Sequence, residues 1–237
     1  MGLPEVFCWS KFGAEAGEDA TSICERKEAE RKLNGGTFLW GIGNSIRPSL
    51  QALLRECVEP DVLFTPMLAA PAQEDLTPAR LVLWNEAVGM DGMTYELPSH
   101  SVVTSRPPGD RRGQAHYALI CWRDSELRSS EPELCVNHLE VANLLTGSTV
   151  GPSQVTSVVK RVPPNQGKTR LYRVAFHASL IYPYLVGLRS PVTVPEELRL
   201  DQRRGINIAA AAQELREFGD AFLTSESRNT VVQGRIF

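Results

Sequence analysis

Residues 35–44, GGTFLWGIGN, set one tryptophan between two pairs of glycines, directly after a strongly charged segment. Before this stretch, residues 19–33 read as a helix: Ser22 and Glu25 have capping-box spacing, and Gly35-Gly36 supplies a stop. Residues 37–42 then read as a strand, and Pro48 opens a second helix that runs to about Cys57 with Leu50, Leu53 and Leu54 on one face. Upstream, Val6 to Trp9 is a short apolar run ending in Ser10-Lys11-Phe12, an opening strand. The chain thus begins β-α-β-α.

Further on, residues 61–69 (DVLFTPMLA) and 79–88 (ARLVLWNEAV) read as strands around a polar loop. Residues 95–105 are mixed, and SRPPGDRRG is an exposed basic loop. Residues 116–122 (HYALICW) predict another strand and residues 137–145 a short helix. VTSVVKRV and RLYRVAFHASL flank the turn PPNQGKT as in a hairpin, and residues 208–222 have the pattern of an amphipathic helix. Strands and helices do not alternate regularly, which argues against a doubly wound sheet. The expectation is an α+β fold, a partly open β-barrel flanked by helices over residues 1–155. A C-terminal extension over residues 156–237 would form a separate unit or pack on the same domain.

The chain has 237 residues, 42% hydrophobic and 22% charged, the composition of a folded protein rather than a disordered one. No apolar run is long enough to cross a bilayer, and the first residues lack a signal-peptide pattern. Met1-Gly2 resembles a myristoylation start, but Val6 stands where Ser or Thr is required. Five cysteines, an odd number without a CxxC pair, suggest reduced thiols and an intracellular, cytoplasmic location. Charge is unevenly spread. Residues 141–195 contain no Asp or Glu and carry +6, leaving −9 on the rest of a chain whose net charge is −3. Such a segment suits a polyanion contact on one face, or salt bridges to the acidic remainder.

Chemical motifs are sparse. QGKT at 166–169 imitates the end of a P-loop, but Val162 replaces the required glycine. GSTVG at 147–151 has Thr149 where a nucleophile elbow has its nucleophile. His116, Cys121, Cys135 and His138 include usable zinc spacing, but His116 and Cys121 fall on opposite faces of one strand. Ser99-His100-Ser101 places a hydroxyl beside an imidazole without the geometry of a triad. No metal or other cofactor is implied.

In order along the chain, these pieces resemble the PUA-like modified-base readers, the YTH domains and their EVE-type relatives, over roughly residues 5–150. The resemblance rests on Ser10-Lys11-Phe12, the segment Trp40 to Asn44, the leucines Leu50 to Leu54, TYELPSH with Tyr95, and HYALICWRDSEL. It implies a non-catalytic module that binds DNA or RNA and holds a modified, for example methylated, base in an aromatic cage. Trp40 and Tyr95 would be cage walls, and Asn44 and Ser10 edge or backbone donors. Lys11 would lie near a phosphate, and Trp84 or Trp122 would complete the cage. Lys160, Arg161, Lys168, Arg170 and Arg173 would follow the backbone. The chain departs from the family in having Tyr95 where the second aromatic is usually Trp, and Gly41 after Trp40. Two other readings stay open: an enzyme acting on a nucleotide or small molecule with His100, His116 or a cysteine, and an assembly protein docking a partner through residues 208–222.

Overall fold

A computed structural model describes residues 2–13, 19–67, 80–98, 101–105, 116–127, 134–151 and 154–193. The opening follows the pattern of the sequence: β1 (Val6–Phe12), α1 (Ala20–Leu33), β2 (Thr37–Ile42), a 3-10 turn (Asn44–Ile46), α2 (Arg47–Glu56) and β3 (Asp61–Pro66). The cap of α1 is Asp19, whose carboxylate accepts the Ser22 N–H at 2.7 Å, one turn earlier than a Ser22 capping box. Gly35 and Gly36 end the helix with φ of +61° and +99°, a conformation that a side chain would disfavour, and the Gly36 N–H closes on the Arg31 carbonyl.

Then come β4 (Arg80–Gly89), β5 (Thr94–Glu96), β6 (Val102–Ser105), β7 (Tyr117–Trp122), β8 (Cys135–Asn137) and β9 (Val141–Asn143). The last strands are β10 (Thr156–Arg161), β11 (Leu171–Arg173) and β12 (Phe176–Thr193). The fold is α+β, mostly sheet with two helices. Two expectations are corrected. Residues 137–145 form the end of β8, a turn and β9 rather than a helix. The hairpin across PPNQGKT does not form: β10 pairs with β1 and β9, β11 with β8, and β12 with β3, β4 and β7. The expected helix at 208–222 lies outside the described residues.

The main sheet runs β2-β7-β12-β3-β1-β10-β9, with β4 branching from β12 and carrying β5 and β6. Strands from both sides of residue 155 therefore share this sheet. Its path ends at β2 and β9 and does not close into a barrel. It does curl, because Trp40 on β2 reaches across the interior to Ser10 on β1, four places along the path.

Alternation along the strands assigns the faces. The inner face is lined by Cys8, Phe38, Trp40, Phe64, Leu119, Cys121 and Phe176, with Leu50 and Leu53 of α2 packed on it. The outer face of β2, β7 and β12 buries Leu39, Ile120 and Val186 against Trp84, Tyr95 and Val103 from β4 to β6. The outer face of β1, β3 and β10 buries Phe7, Trp9, Leu63 and Val159 against Val136, Val141 and Tyr172. Fully burying one such side chain contributes about 1.5–3 kcal/mol.

The charged helix α1 does not simply face solvent. Arg26, Lys27, Glu30 and Arg31 are buried. Glu30 Oε1 accepts the Leu39 N–H at 2.9 Å, a strand donor that would otherwise be unpaired. Lys27 Nζ donates to Glu30 Oε2 at 2.6 Å and to the Val102 carbonyl of β6 at 2.8 Å. A buried ion pair thus covers the exposed edge of β2, the task that another strand would otherwise perform.

Candidate functional site

The expected cage residues fall into separate surroundings. Trp40 is 6% exposed, and its ring centroid lies 4.5 Å from that of Phe64, with Phe12 and Phe176 at 5.5 and 6.0 Å. Its Nε1 donates to Ser10 Oγ at 2.9 Å, and that hydroxyl lies 3.0 Å from Thr156 Oγ1. Two of the expected site residues, Trp40 and Ser10, are therefore brought together in the interior. Tyr95 belongs to the outer cluster beneath β4, on the other side of the sheet from Trp40.

Lys11, expected near a phosphate, is 1% exposed. Its Nζ donates to the Gly151 carbonyl at 2.7 Å and stands 4.7 Å from the Trp9 ring centroid and 5.4 Å from that of Tyr172. Burial lowers its pKa to about 8. Trp84 is buried, donates Nε1 to the Val103 carbonyl at 3.2 Å and lies against the His116 ring. Trp122 is 39% exposed at the end of β7, beside Gly36. Asn44 opens the 3-10 turn, and its side chain lies outside the described residues. Ser99 and His100 lie outside them as well.

The expected backbone contacts follow one another along one stretch of chain, although Lys160 and Arg161, consecutive on β10, point to opposite faces of the strand. Lys160, Arg161, Lys168, Arg170 and Arg173 are all exposed along the end of β10, the loop after it and β11. That loop is held in position. Its Val162 and Asn165 N–H groups donate to the Glu140 and Leu139 carbonyls, and the Arg170 N–H donates to His138 Nδ1 at 3.1 Å. The cations therefore project from anchored backbone, with Glu5 and Glu140 as near acidic neighbours in the pairing.

A further aromatic group was not identified from the sequence. Between Leu180 and Leu185 the β12–β7 register shifts, so residues 181–184 stand against Ile120 alone. Tyr182, in this bulge, is 58% exposed. The hydroxyls of Tyr182 and Tyr95 both donate to Asp91 Oδ2 and lie 2.8 Å from each other. Tyr95 and Tyr184 meet the Tyr182 ring edge-to-face, with centroids at 6.1 and 5.9 Å. Asp91 also accepts the Met93 N–H through Oδ1. Burial would raise its pKa, but these hydrogen bonds outweigh it and hold the carboxylate below its ordinary range. Burial, and then the Asp91 contact, push the Tyr95 hydroxyl far above its ordinary value. The sequence signal was Pro183 within the apolar run LIYPYLV, since proline inside a strand marks an edge or a bulge.

Among the described residues, no group of three or more His, Cys, Asp or Glu could hold a metal ion. The Cys121 thiol is buried on the inner face and pushed up by burial, whereas His116 packs on the outer face. Among the same residues no helix is long and apolar enough to cross a membrane, which says nothing of membrane-crossing strands. Comparison with family models, curated proteins and solved structures finds no match to this chain.

Proposed function

We propose that this chain is a non-catalytic nucleic-acid-binding protein of PUA-like architecture that takes DNA or RNA along the β10–β11 cations and recognises a modified base. The observation that carries the reading is the strip itself: five exposed Lys and Arg side chains on one anchored segment without an acidic residue of its own. Such a strip neutralises phosphates and releases their counterions. The Ser10–Trp40 contact supports the PUA-like part, since it joins two of the segments on which the resemblance rests. Trp40 itself is covered by phenylalanines and holds the interior together, so in this reading the base is met by another aromatic group.

The test is a titration of labelled single-stranded oligonucleotides, modified and unmodified, at several salt concentrations. Binding weakens steeply with salt, and replacing Lys160 and Arg161 by Gln lowers affinity for every sequence. The log–log salt slope on single strands falls by about 0.7 for each phosphate that is no longer neutralised. Absence of binding, or a salt-independent affinity, overturns the proposal. Equal affinity for modified and unmodified strands removes its base-reading part.

A further inference from the structure

We infer that Tyr182 is the stacking platform for a nucleobase, an inference that rests on the nucleic-acid-binding reading above. The ring is open to solvent yet fixed. Its hydroxyl is tied to Asp91, and the edges and faces of Tyr95 and Tyr184 brace it. A ring already held in one orientation loses little freedom when a flat ligand stacks on it. The support beneath it is tightly packed: a Cβ on Gly89 would come within 2.5 Å of Asp91 Oδ1 and 2.8 Å of Tyr95 Cε2. Tyr184, which completes the brace, keeps a left-handed backbone at φ +64°, a conformation costly for a residue other than glycine. Backbone in such a state persists where the surroundings over-determine it, which is common at binding sites.

Position in the sheet links this ring to the cations. β12 leaves β3 after Ser179 and joins β4 from Val186, so the bulge occupies the change of partner. Lys160 stands opposite Val6, and the register of β1 with β3 puts Val6 level with Pro60, whose carbonyl accepts the Leu180 N–H. The cationic end of β10 and the Tyr182 bulge therefore open on one rim. They are three strand spacings apart, about 14 Å along the sheet. Glu59, next to Pro60, belongs to the part of this rim that adjoins β12, and Asp91 holds the tyrosine hydroxyl; together they disfavour phosphate near Tyr182, while Glu5 lies beside the cations. That polarity orients a nucleotide strand with its phosphates toward the cationic end of β10 and an uncharged base over the tyrosine.

The experiment compares the 237-residue chain with Tyr182→Ala and Tyr182→Phe on single-stranded oligonucleotides, intact and with abasic positions, with thermal unfolding as a check on the fold. Tyr182→Ala is expected to weaken binding about 5- to 150-fold, the range for loss of one base–aromatic stack, with the salt slope unchanged. Tyr182→Phe, which keeps the ring and its contacts with Tyr95 and Tyr184 but loses the tie to Asp91, falls between the wild type and the alanine variant. An abasic position weakens the wild type but leaves the alanine variant unaffected. If Tyr182→Ala binds like the wild type while the Lys160/Arg161 variant does not, the platform is overturned and the binding function stands. If the wild type binds no oligonucleotide, the function falls and the platform with it. A tyrosine fluorescence response to tetramethylammonium without any response to oligonucleotides overturns both in favour of a cationic ligand.

Discussion

Trp40 and Tyr182 are built alike and placed in opposite ways. Each is an aromatic ring whose polar atom is pinned, Trp40 Nε1 by Ser10 and the Tyr182 hydroxyl by Asp91. Each has aromatic neighbours, three phenylalanines in one case and two tyrosines in the other. Trp40 points into the curl of the sheet and Tyr182 points out of a bulge. The pinning therefore serves different ends: inside, it satisfies an indole N–H that burial would otherwise strand; outside, it fixes a ring that solvent would otherwise leave free to turn.

Replacing each ring by alanine separates the two roles most strongly. Trp40→Ala empties a packed interior and is expected to cost about 3–5 kcal/mol of stability. Tyr182→Ala removes a mostly exposed ring and is expected to cost less than about 1 kcal/mol. Urea unfolding of the two variants against the wild type measures both. A Trp40→Ala protein as stable as the parent would mean that the ring is not holding the interior, and would return it to the role of a pocket wall.

The contrast also shows where the sequence is readable. β1, α1, β2, α2, β3 and β7 could be read because their apolar spacing, caps and breakers are local signals, and the basic strip could be read because all five cations lie within residues 160–173. The three-residue strands β8, β9 and β11 are too short to show a period. The hairpin reading failed because β10 finds its partner far away: Thr156 stands opposite Ser10, 146 residues earlier. Facing is a matter of register. Trp40 and Tyr95 each look like a presented aromatic in isolation, and only the pairing of β2 with β7 and of β5 with β4 puts them in different clusters. The buried charges of α1 were equally hidden, since a sequence does not reveal that Glu30 will meet a strand edge.

A second prediction tests whether the outer cluster is as rigid as its packing implies. Gly89→Ala drives a methyl group to within 2.5 Å of Asp91 Oδ1 and 3.2 Å of Pro183 Cβ, so the turn after β4 must shift. A cost of about 1–3 kcal/mol is expected from overpacking, read as a lower urea midpoint. Binding should fall as well, because the ring loses its brace. A variant with parental stability and affinity would show that the tyrosines adjust freely, and the difference from the Trp40 interior would shrink.

The smallest expected effect concerns Lys11, a charge enclosed on the outer face of β1 between the rings of Trp9 and Tyr172. Burial lowers its folded-state pKa to about 8, against 10.5 for an ordinary lysine. Between these values the unfolded chain holds a proton that the folded chain has released, so stability from this group rises with pH. The contribution is at most about 1.4 kcal/mol per pH unit. It is best read between pH 8 and 9.5, roughly below the range in which ordinary tyrosines titrate. Lys11→Met, which keeps the length and removes the charge, is expected to lack that rise in urea midpoints measured across the window. A parallel pH dependence in both proteins would mean that Lys11 keeps its proton beside the Gly151 carbonyl, and that solvent or phosphate reaches it after all. Lys11 would then belong with the open rim of Tyr182 rather than with the closed interior of Trp40.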